Sequence, residues 1–449
     1  MKSSILKIYI IIGLTLLLPI LNLNSQDKKD IIKSETFIGA NTGKFSLKNL
    51  KRQNTFKKQV LAGRKPVEKV IEKEVICPSC KKTVPILIVK SPKIALDTDF
   101  CEHYIGLSEY SFEIWSCSVC GYSHHLNFFT KEIPSSLKTL INKTLKPQMR
   151  KEIKSQFGNL FKKLKSVPLT QKIIPVHIKV LNMITYLENQ VDIENQWKVF
   201  VYMRGIYALR NEISNAPSST NLNTVFINID SKLRKDTEIP QKESAQPHYP
   251  TYYLSYYLGL LPSLKSKSKE TIALRILIAQ SFNRLGYNSK SKEHLLIALE
   301  DSKLKKGFTG TIKYINKLIK IIDLEITLTK TTRDLMVSNF ELTDKDIPNT
   351  LNASYMVYLI GEFSRRIDDY KNAYHWFSGA YQLFPRGDTV KGIKKHHTAK
   401  WIELFFKRKE FSTFTQSEMP IRHPAIVRIT VMKIKRQIQA TEKKLKLNK

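Results

Sequence analysis

Glycine and proline are scarce in this chain. They number 16 and 18 of 449 residues, roughly 8% against a usual figure of about 12%. That deficit excludes a collagen-like or Gly/Pro-rich disordered chain and favours helix. Cysteine is scarcer still, at five residues. A disulfide scaffold, which needs Cys above roughly 8–10% of a short chain, is excluded. Acid is short as well: Asp and Glu total 39 against 74 Lys and Arg, a formal charge of +35. Only 16 of those 74 cations are Arg. Sequence-specific nucleic-acid readers lean on bidentate Arg. The surplus therefore reads first as a solvated Lys-rich surface, and second as attraction to an anionic membrane or polymer. Catalytic signatures are missing too. There is no G-x-S-x-G, H-E-x-x-H, P-loop or dinucleotide-binding glycine pattern. The adjacent His396 and His397 cannot share one helix face. No enzyme activity is expected.

A long uncharged and strongly apolar run stands at the N-terminus. Lys2 and Lys7 precede Ile8–Leu21, which carries no charge. Its length suits the roughly 7–15-residue core of a signal peptide and is short for a spanning helix of about 20 residues. Pro19 and the polar Asn22–Ser25 follow, so cleavage is expected before Gln26. Residues 1–25 are read as an export signal, with an uncleaved membrane anchor as the alternative. The mature chain is then periplasmic or secreted.

Residues 26–73 are polar and basic and read as a linker. Residues 74–130 change character, with β-branched and aromatic residues and all five cysteines. Val84–Val89, Phe112–Trp115 and His125–Phe129 read as short strands. From Pro134 onward apolar residues recur at helical spacing, as in Phe200, Met203, Ile206 and Tyr207. Residues 131–215 are expected to be helical, 216–250 a polar loop or insertion, and 251–449 a helical domain with a basic tail.

The cysteines carry the clearest chemistry. Cys77-Pro-Ser-Cys80 and Cys117-Ser-Val-Cys120-Gly121 are two C-x-x-C pairs. Each suits a knuckle whose two thiolates converge on one ion, and two knuckles supply the tetrahedral sulfur set that Zn²⁺ takes. Gly121 stands where such a turn needs positive φ. A four-thiolate site leaves no open position for water, so its zinc is structural. Export makes two disulfides the competing outcome, and thiol–disulfide exchange a third. The fifth thiol, Cys101, with His103, His124 and His125, reads as a buried Cys beside polar surface histidines. Asp97 and Asp99 read as turn-capping carboxylates.

The sequence here resembles a family. CPSCKK at Cys77–Lys82, DTDFCEHYIG at Asp97–Gly106 and YSFEIWSCSVCGYS at Tyr110–Ser123 resemble the bacterial DUF2225 family. The resemblance matches Cys77, Cys80, Cys117 and Cys120 to the family's knuckles. It matches Asp97, Asp99, Phe100, Cys101 and Tyr104 to a motif of unknown role between them. It also implies helical repeats downstream. The chain departs from the family pattern at Ser108-Glu109, where Asn-Pro commonly stands. The family name implies no established activity.

Repeat signatures appear in the helical part. From Gly361, the residues Ala373, Phe377, Ala380 and Pro385 fall at tetratricopeptide offsets. A weaker copy runs over Arg275–Glu300, with Gly286-Tyr287 as its inter-helix turn. The expected architecture is mainly α: a tetratricopeptide-like array carrying a small N-terminal β zinc ribbon. The expected function is an exported, non-enzymatic scaffold or adaptor for protein partners. The alternatives are an anionic-polymer or nucleic-acid binder, and a protein of thiol redox or metal handling.

Overall fold

In the computed structural model the described residues are 69–157, 174–190, 195–214, 222–237, 250–342 and 351–383, apart from 92, 98, 100, 105 and 106, with single positions 169, 193, 437, 439 and 441. Residues 1–25, read above as an export signal, most of the expected linker, Phe100, Pro385 and most of the basic tail lie outside them.

Alternating burial builds the first hairpin. Strand β1 (Lys69–Ile76) pairs antiparallel with β2 (Thr83–Lys90), from Lys69↔Lys90 to Ile76↔Thr83. β2 buries Val84, Ile86, Leu87 and Val89, whereas β1 is exposed along nearly all its length. β1 begins at Lys69, inside the segment expected to be linker. Its Lys/Glu-rich solvent face hides the strand in composition.

Two smaller ladders follow, β3 (Lys93–Leu96) with β4 (Glu102–Tyr104), and β5 (Ile114–Ser116) with β6 (Ser123–His125). Two expected strands are borne out in part: Ile114 and Trp115 lie in β5 and His125 in β6, but the remainder is helical. Phe112 lies in a short helix, α1 (Glu109–Glu113), whose Tyr110, Ser111 and Phe112 are buried. Leu126–Phe129 is α2, started by His125, whose ring nitrogen accepts from the Asn127 N–H. Aromatic content suggested strand at both places, but packing against the helices decides otherwise.

Helix α3 (Ser135–Leu140) runs through a π-turn into α4 (Lys146–Phe157). Then come α5 (Val176–Glu188), α6 (Asn195–Ser214) and α7 (Asn223–Thr237). α7 stands inside the segment expected to be a polar loop. Its Asn, Ser and Asp content conceals a stripe of buried Leu222, Phe226 and Leu233. After α8 (Pro250–Leu260), α9 (Lys269–Arg284) and α10 (Asn288–Lys303) form one hairpin. The 34-residue α11 (Thr309–Leu342) leads to a second hairpin, α12 (Leu351–Arg366) and α13 (Tyr370–Leu383). The fold is thus mainly helical, with a few small strands at the N-terminal end.

Both hairpins pack small residues against a large one. In the second, Ala373, Phe377 and Ala380 are fully buried, and a Cβ on Gly361 would come within 2.7 Å of the Phe377 ring. In the first, Ala279, Phe282, Leu295 and Ala298 are buried, and the Ser291 hydroxyl donates to the Ala279 carbonyl at 2.6 Å. One large core joins both hairpins to α5, α6 and α11, and it takes in Cys101, Tyr104, Tyr110 and Ile114. A smaller core surrounds the knuckle cysteines with Val84, Ile86, Trp115, Tyr122 and Phe129. Among the described residues no helix is long and apolar enough to cross a membrane.

Lys179 of α5 is buried where that helix meets α1. Its ammonium donates to the Ser111 carbonyl at 3.2 Å and lies 5.4 Å from the Phe112 ring centre. Burial brings its pKa down to about 7, against the pull of Glu212. In the unfolded chain a lysine titrates near ~10.4. Between those values the unfolded state holds the extra proton. Stability should therefore rise with pH from about 7 to about 10, by at most ~1.4 kcal/mol per pH unit, and be flat below pH 7. Lys179→Met should stabilise the protein at pH 7 and lose that advantage by pH 10. Urea melts at the two pH values check this, and an equal gain at both would refute it.

Candidate metal centre and its buried charge network

The two knuckles are built alike. In the first, the Lys81 N–H donates to the Cys77 carbonyl and the Cys77 N–H to that of Lys82, both at 2.9 Å. In the second, the Gly121 N–H donates to the Cys117 carbonyl at 2.7 Å and the Cys117 N–H to that of Tyr122 at 2.8 Å. Lys81 and Gly121 hold the same left-handed turn, at φ 58° and 79°. Glycine is required at 121 for a second reason. A Cβ there would lie 2.3 Å from the Leu145 carbonyl oxygen. Asn182 of α5 clamps this knuckle, donating to the Gly121 carbonyl at 2.7 Å.

The turns bring all four sulfurs together, with every ligand atom within 4.8 Å of the others. Cys77 and Cys120 are 3.6 Å apart, as are Cys80 and Cys117. Four thiolates at ~2.3 Å from a central Zn²⁺ would stand about 3.8 Å apart. The sulfurs are therefore gathered at close to metal-binding separation, and all four cysteines are free thiols. The cluster can hold a metal ion.

The intervening motif does something different. Asp97, Asp99, Cys101 and Tyr104 are all buried, and the two carboxylates meet arginines from the helical part. Arg210 of α6 reaches both Asp99 oxygens with Nη1, each at 2.8 Å, and reaches Glu325 of α11 with Nη2 at 3.0 Å. Arg366, the last residue of α12, donates to Asp99 Oδ1 at 3.2 Å. Arg284, the last residue of α9, donates to Asp97 Oδ1 at 3.1 Å. Asp97 Oδ2 pairs with His103 Nε2 at 2.8 Å. Asn283 donates to the second Glu325 oxygen at 2.6 Å. Beside them Arg365 pairs with Glu362 at 2.7 Å.

Burial alone would push both aspartates up. His103 and Arg284 instead hold Asp97, and Arg210 and Arg366 hold Asp99, below the ordinary carboxylate range. Burial lowers the His103 pKa and raises that of Cys101. Asp97, Cys101 and His103 also bring three donor atoms within 4.8 Å of one another. With Arg284 at 3.1 Å and Arg210 at 3.5 Å from Asp97, that trio belongs to the charge network.

Residues 70–168 match the DUF2225 family, described as an uncharacterized protein conserved in bacteria. The match takes in both knuckles and the motif between them, 99 of the 449 residues. No curated protein and no solved structure matches the chain.

Two expectations about this DUF2225 segment change. His103, His124 and His125 are buried rather than on the surface. Asp97 and Asp99 are ion-paired across the fold rather than confined to capping a local turn. The arginine partners escaped the sequence reading, although a signal was present. Arg210 follows Met203 and Tyr207 at helical spacing on an otherwise apolar face. Arg284 and Arg366 each stand two residues before a left-handed turn residue, Gly286 and Asp368.

Removing one member leaves a buried charge unpaired. Arg210→Met should cost about 3–5 kcal/mol of stability, measured by urea unfolding. A cost no larger than that of an exposed Lys→Met change would refute the network's role. The depressed aspartates set a pH window too. Their contribution is present above ~pH 4, where unfolded carboxylates are ionised, and is lost as pH falls further towards the lower folded pKa values. Cys101→Ser should leave the metal content unchanged, because Cys101 clusters with Asp97 and His103 rather than with the knuckle thiols.

Proposed function

We propose that the protein is an exported, non-enzymatic scaffold in which a structural zinc site and a helical-repeat array form one rigid body for binding protein partners. The observation that carries this reading is the four-sulfur cluster. Cys77, Cys117 and Cys120 are buried, and four thiolates leave Zn²⁺ no position for a substrate or water. The zinc then fixes two turns, and its chemistry is confined to holding them. The helical hairpins supply the partner surface, since stacked repeats bind extended or helical peptides. Export rests on Met1–Ser25. Zinc must then be loaded before the thiols are oxidised. A redox role for Cys101 is disfavoured by its complete burial and raised pKa.

Purified protein should contain about one zinc per chain. Cys117→Ser should release it and unfold the knuckle region, because binding and folding are coupled at such sites. Elemental analysis and circular dichroism check this, and a metal-free, folded protein with two disulfides would sink it. Mass spectrometry of the native protein should find Gln26 at the N-terminus; a retained Met1 in a soluble cytoplasmic fraction would overturn export. For the scaffold itself, cross-linking in the native host should join lysines of α9–α13 to one recurring protein. Binding only to anionic vesicles or polymers, with steep loss in salt, would put the Lys-rich surface first instead.

A further inference from the structure

Beyond the cysteines, the second knuckle's arm helps form a cleft with α5 and α6. Tyr122, His124 and Phe128 line one side, Tyr186 and Gln190 another, and Trp197 a third. The rings are locked edge to face: Tyr122 and Tyr186 with centres 5.0 Å apart at 77°, Phe128 and Trp197 at 5.2 Å and 78°. The cleft encloses about 230 Å³. A dry cavity of about 150 Å³ takes a benzene, and drug-sized ligands occupy roughly 300 Å³ or more. This space suits one substituted six-membered ring.

Two polar side chains stand in its walls, Gln190 and His124. Gln190 Oε1 is buried and unpaired. His124 is 3% exposed, and its Nδ1 accepts from the His125 N–H at 2.8 Å. Burial lowers its pKa to about 3, so the ring is neutral and its proton sits on Nε2. A buried acceptor left unpaired costs about 1–3 kcal/mol, which a ligand hydroxyl donating to Gln190 Oε1 would recover. The ionised residues of the cleft, Lys131 and Glu132, are exposed at its rim and opposite in sign. The interior is therefore neutral, aromatic, and equipped with one donor and one acceptor.

We propose that this cleft binds a single neutral pyranose ring. The sugar's C–H face lies on the aromatic wall, one hydroxyl accepts from His124 Nε2, and another donates to Gln190 Oε1. Sugar hydroxyls are both donors and acceptors, so a polyol ring satisfies two separate protein atoms at once. A purely apolar ring would leave Gln190 Oε1 unpaired, and a charged ligand would lose its hydration with no counter-ion inside among the described residues.

Ligand-observed saturation-transfer NMR on the full mature chain tests this with glucose and N-acetylglucosamine as probes, and adenosine for contrast. At least one sugar should bind saturably in the millimolar range. Gln190→Leu, at a half-buried position just past the end of α5, should weaken that binding at least tenfold while the circular dichroism spectrum stays unchanged. His124→Phe should do the same if it folds. Trp376→Phe, outside the cleft, should bind as the parent does. No saturable sugar signal, undiminished binding by Gln190→Leu, or saturable binding of adenosine alone would each overturn the proposal.

Discussion

Two aspartates with a single residue between them face two helical hairpins, and each finds the arginine that ends its hairpin's first helix. Asp97 takes Arg284 and Asp99 takes Arg366. Arg210 joins both acids to Glu325. With Glu362 and Arg365, four acids and four arginines balance inside the protein. Desolvating eight charges is expensive, so such a network adds little net stability over an apolar core. Its effect is on geometry. A shift of either hairpin by one turn would strand charges where water cannot reach them. The cysteine-bearing segment and the helices are thereby held in one arrangement, and the motif between the knuckles is the part that enforces it.

The thiol cluster works at the other end of the same segment. It draws the β1–β2 and β5–β6 hairpins together; α5 holds the result through Asn182, and the π-turn brings Leu145 tightly against Gly121. Lys81 adopts the left-handed turn that Gly121 adopts in its counterpart. The first knuckle is open enough to accept a side chain there, whereas the second is pressed against the π-turn that follows α3. The two ligand pairs are alike in sequence but unequal in setting.

Local chemistry was legible in the sequence; tertiary context was not. The C-x-x-C pairs announce a sulfur cluster because two turns of that spacing converge on one point. Gly361 and Phe377 announce a helix pair because only a missing side chain admits a ring so close. By contrast, Phe112 and Leu126–Phe129 were read as strand, since their aromatic rings are strand-like by propensity, and they become helical through what they bury against. Helix α7 was hidden by its polar composition. The arginines could be picked out by their local setting but their pairings could not: the members are spread from Asp97 to Arg366, and nothing in a single sequence joins positions so far apart.

Helix α11 is 34 residues long, about 50 Å from end to end, and Glu325 sits at its middle. That makes the buried carboxylate a fulcrum. A tilt of about 5° around it would move each tip by roughly 2 Å, enough to disturb whatever a tip touches. At the pivot the same tilt would pull on the pairings with Arg210 and Asn283, which have no water to replace them. The long helix therefore behaves as a stiff beam clamped at mid-span, and a load applied at one end reaches the aspartate motif before it reaches the other end.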